Sequence, residues 1–233
     1  LADSSQLNKT TISIVLAIWG EGYSQFLPQW FEAAQKLERD YDEIVVVTDN
    51  KNASAVLSAI TDFSKIRIRV EEHTEFAGYW NRAIDLSTSK WIAFCCADDY
   101  FLPEALNEVD EADQLDANLI LDNLIHKGTN VRQTAYWDQA NVKTDFRLMG
   151  GNTITKRLWE AAGGFPTGFQ FADWGFALRL AKTGLVKTYA ATTNRIVYDV
   201  GYDRHTMSGA SLSTQDRANG QSQIDNLARE LGL

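Results

Sequence analysis

The sequence holds almost no cysteine: two among 233 residues, and those two adjacent, Cys95 and Cys96. Neighbouring Cα atoms lie about 3.8 Å apart, short of the roughly 4.4–6.8 Å a disulfide spans, and a strand turns neighbouring side chains to opposite faces. No disulfide is expected. Two lone thiols fit a reducing compartment, so the expected location is cytoplasmic. Histidine is scarce as well, three in all, and scattered His with one Cys pair lack the ligand spacing of a zinc site. Basic charge is in deficit: 22 Lys and Arg against 31 Asp and Glu give a net charge of −9. That balance argues against a nucleic-acid partner, because phosphate backbones need a basic surface, but leaves room for one local anion site. Long apolar runs are missing. The stretches from Ile12 to Trp19 and from Trp91 to Cys96 are far too short to cross a bilayer. The polar start lacks a basic-then-apolar leader, so no secretory signal is read, and the first residue is Leu rather than Met. No repeat or Pro/Gly-rich linker divides the chain, and one domain over residues 1–233 is expected.

What is present alternates. The apolar run Thr11–Gly20 reads as a strand, and "FLPQWFEAAQKL" after it has helical spacing. Glu43–Asn50 reads as a strand, Ala53–Phe63 as a helix and Lys65–Val70 as a strand. A helix is expected within Glu75–Ser87, a strand at "KWIAFCC", and a helix over Leu102–Ala112 with Pro103 in its first turn. Strands alternating with helices imply a mostly parallel sheet covered on both faces, whose ligands collect at the carboxyl ends of the strands. That rule lines up Trp19–Glu21, Thr48–Asn50 and Ala97–Asp99 on one edge. The second half is less regular. Asn118–His126 and "RIVYDV" read as strands, "TAYWDQ" and "KTDFRLMGGN" as loops or antiparallel strands, Thr155–Phe165 and Ala172–Gly184 as helices stopped by glycine, and "SQIDNLARELGL" as a closing helix.

Three stretches in this order, "ISIVLAIWGEGY", "GYWNRAIDLSTSKWIAFCCADDYFLPEAL" and "TKRLWEAAGGFPTGFQFADWGFALRLAKTG", resemble the GT-A glycosyltransferases of the family-2 type. The resemblance covers about residues 11–213. It implies an α/β, Rossmann-like fold: a mostly parallel central sheet flanked by helices, with a smaller antiparallel acceptor-side region. Residues 11–115 would form the nucleotide-sugar half, 116–213 the acceptor half, and 214–233 a C-terminal helix. The implied reaction moves a sugar from a nucleotide-diphospho-sugar, UDP-linked by expectation, to an acceptor hydroxyl of a saccharide, lipid-linked carrier or protein. It inverts the anomeric carbon and uses Mn2+ or Mg2+.

The resemblance also assigns residues. The family's Asp-X-Asp motif aligns with Cys96-Ala97-Asp98, followed by Asp99, so Asp98 keeps the metal-binding acid and Cys96 replaces the first. A diphosphate leaving group builds negative charge, which a hard cation on carboxylate oxygens stabilises, and a thiol is a poor ligand for Mg2+ or Mn2+. Asp173 matches the catalytic base, while Ala172 stands where the family carries Glu. A carboxylate there would take the proton of the attacking hydroxyl. Asp49 matches the nucleobase-reading acid. Ala17, Ile18, Trp19 and Glu21 match nucleoside-lining positions, Ala97 lies in the same site, and Asn81 and Arg82 match a phosphate- and ribose-side segment whose Arg is here Trp80. His205, in the loop of residues 202–213, matches a metal ligand and Arg204 a phosphate contact.

Each residue has a plainer reading. Asp98 and Asp99 could be a solvated turn, Asp173 a first-turn acid favoured by the helix dipole, Trp19 core and His205 an exposed loop residue. Cys95 and Cys96 would then be one thiol inside and one at the rim. The lost acids at 96 and 172 motivate an alternative function: a degenerate GT-A module that binds sugar nucleotides or hydrolyses them weakly. A nucleotidyltransferase is more distant, since no Gly- and Lys-rich phosphate loop is present.

Overall fold

The computed structural model describes residues 9–129, 131–144, 151–198 and 213–233. Its first strands, β1 (Ile12–Ile18), β2 (Glu43–Thr48) and β3 (Ile66–Val70), run parallel, with Ile18 beside Thr48 and Thr48 beside Val70. Every residue of β1 and β2 is buried, as central strands covered on both faces require, while edge strand β3 is half exposed. The connections are helical: α1 (Leu27–Gln35), α2 (Asn50–Ala59) and α3 (Phe76–Leu86). In α3 the buried residues Ala77, Tyr79, Trp80, Ala83 and Ile84 fall on one stripe at helical spacing. Strand β4 (Trp91–Cys95) pairs with the other side of β1, Val15 beside Phe94. The chain order thus reverses between β1 and β4, which creates a crevice at their carboxyl ends.

Beyond β4 the sheet becomes mixed. After β5 (Tyr100–Phe101) and α4 (Val109–Gln114) come β6 (Leu119–His126), β7 (Arg132–Thr134), β8 (Gly151–Thr155), α5 (Lys156–Ala162), α6 (Ala172–Thr183), β9 (Thr188–Tyr198) and α7 (Thr214–Leu231). The strand order is β3-β2-β1-β4-β8-β6-β9-β5, with β7 on β6. Strand β8 is antiparallel to both β4 and β6, β6 and β9 are parallel, and β5 is antiparallel to β9. This is the expected α/β architecture, a parallel half continued by a mixed region. Strand alternation divides the core. Val15, Ala17, Val45 and Phe94 face α3, α5, α6 and α7, while Ile14, Leu16, Ile18 and Ala93 face α1, α2 and α4.

Several boundaries differ from the sequence reading; helix α2 ends at Ala59 rather than Phe63, and α7 begins at Thr214, ahead of the expected "SQIDNLARELGL". The helix expected over Leu102–Ala112 begins only at Val109. In an α-helix the Val109 N–H would bond the Ala105 carbonyl, but that carbonyl accepts from Arg195 Nε, and the Val109 N–H bonds Leu106 instead. Helix α2 starts at Asn50 rather than Ala53, because Asp49 caps it by accepting from the Asn52 N–H. Strand β9 starts at Thr188, seven residues before "RIVYDV", in a stretch of Thr, Tyr, Ala and Asn whose apolar signal is weak.

Candidate active site

The carboxyl edge is built first by a turn. After β1, Gly20 and Gly22 take left-handed backbone, φ 71° and 90°. The turn is held from β2's end: Asp49 Oδ2 accepts from the Gly20 N–H at 2.8 Å, Asp49 Oδ1 accepts from the Asn52 N–H and Nδ2 at 2.8 Å each, and Asn52 Nδ2 donates to the Gly20 carbonyl at 2.8 Å. Asp49 is 5% exposed, so in this structure its carboxylate fixes the turn. Asn52 was not singled out from sequence, although Asp-x-x-Asn is readable as a cap. The turn presents Trp19, half-buried, stacked on Tyr79 with centroids 5.6 Å apart and on Tyr23 at 6.1 Å, with the Phe76 edge at 5.5 Å. The Ala17 and Ile18 side chains point into the core, so these two offer the edge only backbone. Glu21 is exposed and lies 3.8 Å from Lys51 Nζ.

Asn81 and Arg82, on α3, brace the crevice from inside. Asn81 Nδ2 donates to the Phe165 carbonyl at 2.9 Å, and the Phe165 N–H donates to Asn81 Oδ1 at 2.9 Å. Arg82 grips Glu71 with Nε and Nη2, each at 3.1 Å. Hydrogen bonds from Arg82 and Arg69 hold the Glu71 carboxyl down to about 2.

At the end of β4 the two thiols separate as expected. Cys95 is buried and accepts from Trp30 Nε1 at 3.2 Å, while Cys96 is half-buried at the rim, and neither is in a disulfide. Ala97 is buried. Cys96 Sγ and one carboxylate oxygen each from Asp98 and Asp99 lie within 4.8 Å of one another. One sulfur and two carboxylate donors at that spacing can hold a divalent cation. The chain leaving this group is anchored. Tyr100 and Phe101 pair with Val197 and Ile196, the Leu102 N–H bonds the Arg195 carbonyl at 2.9 Å, and the Arg195 guanidinium is held by Asp122 and by Thr153 Oγ1 at 3.0 Å.

Asp173 sits in the first turn of α6, accessible to solvent but with protein close around it. That surrounding protein raises its pKa, against the N–H of Trp174, which donates to Asp173 Oδ1 at 2.8 Å. Asp173 reaches the acidic group electrostatically: burial pushes the Cys96 thiol well up, and Asp99, Asp98, Cys95 and Asp173 push it further. The loop before Asp173 is clamped by residues that no local pattern reveals. Gln223 on α7 donates to the Gly168 carbonyl at 2.9 Å and accepts from the Gln170 N–H at 2.9 Å, and the Gly168 N–H donates to Glu75 at 2.6 Å. Expected ligand His205 lies outside the described residues.

A cavity of about 430 Å³ opens at the opposite edge of the sheet. Its lysines are engaged: Lys90 with Asp113 at 2.6 Å, Lys187 with Asp116, and Lys156 with the carbonyls of Asp85 and Ser87. The carboxyl edge, where the switch point and the three-donor group coincide, is the candidate site. Among the described residues no helix is long and apolar enough to cross a membrane.

Comparison with known proteins shows the family. The sequence profile of glycosyl transferase family 2 matches residues 13–173, well over half of the chain. No curated protein matches by sequence. Among solved structures, S. aureus TarS 1–349 in complex with UDP-GlcNAc is similar with a TM-score of 0.71 and 14% identity, over 95% of this chain and 71% of that one. The longer TarS structure is matched over 42% of its length. The mannosyltransferase PcManGT from Pyrobaculum calidifontis, in complex with GDP-Man and Mn2+, gives a TM-score of 0.63 and 14% identity, over 95% of this chain and 74% of that one. At these identities the likeness shows the fold.

Proposed function

The chain belongs to glycosyl transferase family 2, and on that premise we propose that it transfers a sugar from a nucleotide-diphospho-sugar, UDP-linked, to an acceptor hydroxyl with inversion. One observation carries the reading: Cys96 Sγ and a carboxylate oxygen each from Asp98 and Asp99 gather within 4.8 Å of one another at the carboxyl end of β4. In this reading that group holds the cation, and Asp173 in the first turn of α6 is the proton-accepting group.

In this reading Asp173 takes the proton of the acceptor hydroxyl as its oxygen attacks the anomeric carbon. Its raised pKa makes it a stronger base than an ordinary carboxylate, and the helix-held geometry keeps it oriented. Trp19 offers an aromatic face for the nucleoside, with Ala17, Ile18 and Ala97 contributing backbone and Glu21 and Asp49 flanking the base. Asn81 and Arg82 hold the walls. Asp98, with Asp99 and Cys96 beside it, would hold a divalent cation, which when bound supplies positive charge to the leaving diphosphate; Mn2+ or Mg2+ is the expectation from the resemblance, and His205 a further ligand. Residues 11–115 form the donor half and 116–213 the acceptor half of one domain.

Release of nucleoside diphosphate from a panel of nucleotide sugars, with the product's anomeric configuration read by NMR, tests this. Inversion is expected; retention contradicts it. Replacement of acids by Cys96 and Ala172 favours the second reading, a sugar-nucleotide-binding module, which predicts donor binding without release.

A further inference from the structure

The donor set of the acidic group is not the one a Mg2+ site uses. Cys96 Sγ lies within 4.8 Å of the carboxylate oxygens of both Asp98 and Asp99. With metal–sulfur bonds of about 2.3 Å and metal–oxygen bonds of about 2.0–2.2 Å, tetrahedral donors sit roughly 3.4–3.6 Å apart, so a contraction of about 1 Å closes the three donors on one ion. The backbone around them favours that closure over rearrangement. Cys95, the preceding residue, is locked into the core by Trp30, and Tyr100 and Phe101, following Asp99, are paired into the sheet with β9. The thiol is held at the rim between two fixed points, with both acids on the same short turn.

We infer that Cys96 is itself a ligand, and that the site takes a thiophilic divalent cation of the Co2+ and Zn2+ kind in preference to Mg2+. This rests on the glycosyltransferase reading only for the ion's purpose, not for its binding. Soft thiolate selects such ions, whereas Mg2+ demands hard oxygen ligands in near-ideal octahedral geometry. The metal–sulfur bond forms as the thiol loses its proton to solvent, and the incoming cation offsets the negative field of Asp98, Asp99 and Asp173. Linear spacing sets aside a zinc finger; the folded turn supplies a different, three-donor arrangement whose remaining positions stay open to a ligand.

The test uses the intact chain and Co2+ with no nucleotide present. The expected result is a sulfur-to-cobalt charge-transfer band in the near ultraviolet that disappears in Cys96→Ser. Co2+ affinity in that variant should fall by about 10–100-fold, at least the loss seen when an outer-shell partner is removed, while Mg2+ affinity changes little. Any such site ranks Co2+ above Mg2+ to some degree, so the sulfur band and its loss are decisive. A second readout needs no variant: Co2+ should slow alkylation of Cys96, followed by mass spectrometry, and a chelator should restore it. No sulfur band, or equal Co2+ affinity in Cys96→Ser, overturns the assignment. Donor binding with Mn2+ and no sulfur band would sink this inference and leave the glycosyltransferase reading; a sulfur band with no binding of any nucleotide sugar would do the reverse.

Discussion

Asn81 holds Phe165 by both ends of its side-chain amide, donating to the Phe165 carbonyl and accepting from its N–H, each at 2.9 Å. The clasp joins α3, which forms one wall of the crevice, to the loop that leads into Asp173. It leaves no room for a side chain at Gly164, where a Cβ would meet Asn81 Oδ1 at 2.6 Å on a left-handed backbone. Asn81 thus ties α3 to the loop between α5 and α6.

Asn81→Leu removes both bonds and leaves a half-buried N–H and C=O without their partner. A loss of about 1–3 kcal/mol is expected, measured by urea unfolding. If Asn81 instead bound only the donor, stability would be unchanged and only donor affinity would fall.

Asp173→Asn should keep donor binding and lower turnover by roughly 10²–10⁴-fold, the usual contribution of a general base. Because protein around Asp173 raises its pKa, the acid limb of turnover should lie above the ordinary carboxylate range, with activity lost as pH falls through it. A pH–rate profile checks both. Full activity in the variant would remove Asp173 from the chemistry.

The clamp on the Asp173 loop gives a third expectation. A Cβ at Gly220 would meet Phe171 at 2.5 Å, and Phe171 is the residue that precedes α6. Gly220→Ala should therefore displace the start of α6 and reduce turnover while donor affinity holds, measured by steady-state kinetics beside donor titration. Gln223→Leu, which loses two bonds to the same loop, should act in the same direction.

Arg195 and Asp122 form a buried ion pair behind the acidic turn. One Asp122 oxygen, Oδ2, has no hydrogen-bond partner, and burial lifts the Asp122 pKa to about 6 from 3.8. Between those values the native state binds more protons than the unfolded chain, so this carboxyl's contribution to stability is full below the lower value and is lost as pH rises through the upper one. Arg195→Met strands the charge and should cost about 3–5 kcal/mol near neutral pH. The cost should shrink in acid, where Asp122 takes up a proton. Unfolding curves at the two pH values check this; a loss that does not vary with pH would mean the carboxyl is not the stranded group.

The elements visible in the sequence are those that their neighbours bury on both sides. β1, β2 and β4 are continuous apolar runs because helices cover both faces, and Gly163 and Gly184 end their helices in left-handed backbone as their position implies. What escapes sequence reading depends on distant partners. The stretch from Leu102 to Glu108 has helical spacing, yet Arg195, far along the chain, takes the Ala105 carbonyl and delays α4. Asp98 and Asp173 stand out in the sequence as candidates through motif order. Gln223, Asn52 and Tyr79 do not, because their roles come from contacts between elements and not from a local pattern.

Donor binding itself is the most direct measurement. The chain's melting temperature should be followed with UDP-sugars, a divalent cation and both together. At about 100 times Kd a ligand stabilises by roughly 2.7 kcal/mol, or about 5–11 °C for a protein of this size. The account predicts a shift of that order for one nucleotide sugar in the presence of the cation, and its loss in Asp98→Ala. No shift with any nucleotide sugar and any divalent cation would contradict it.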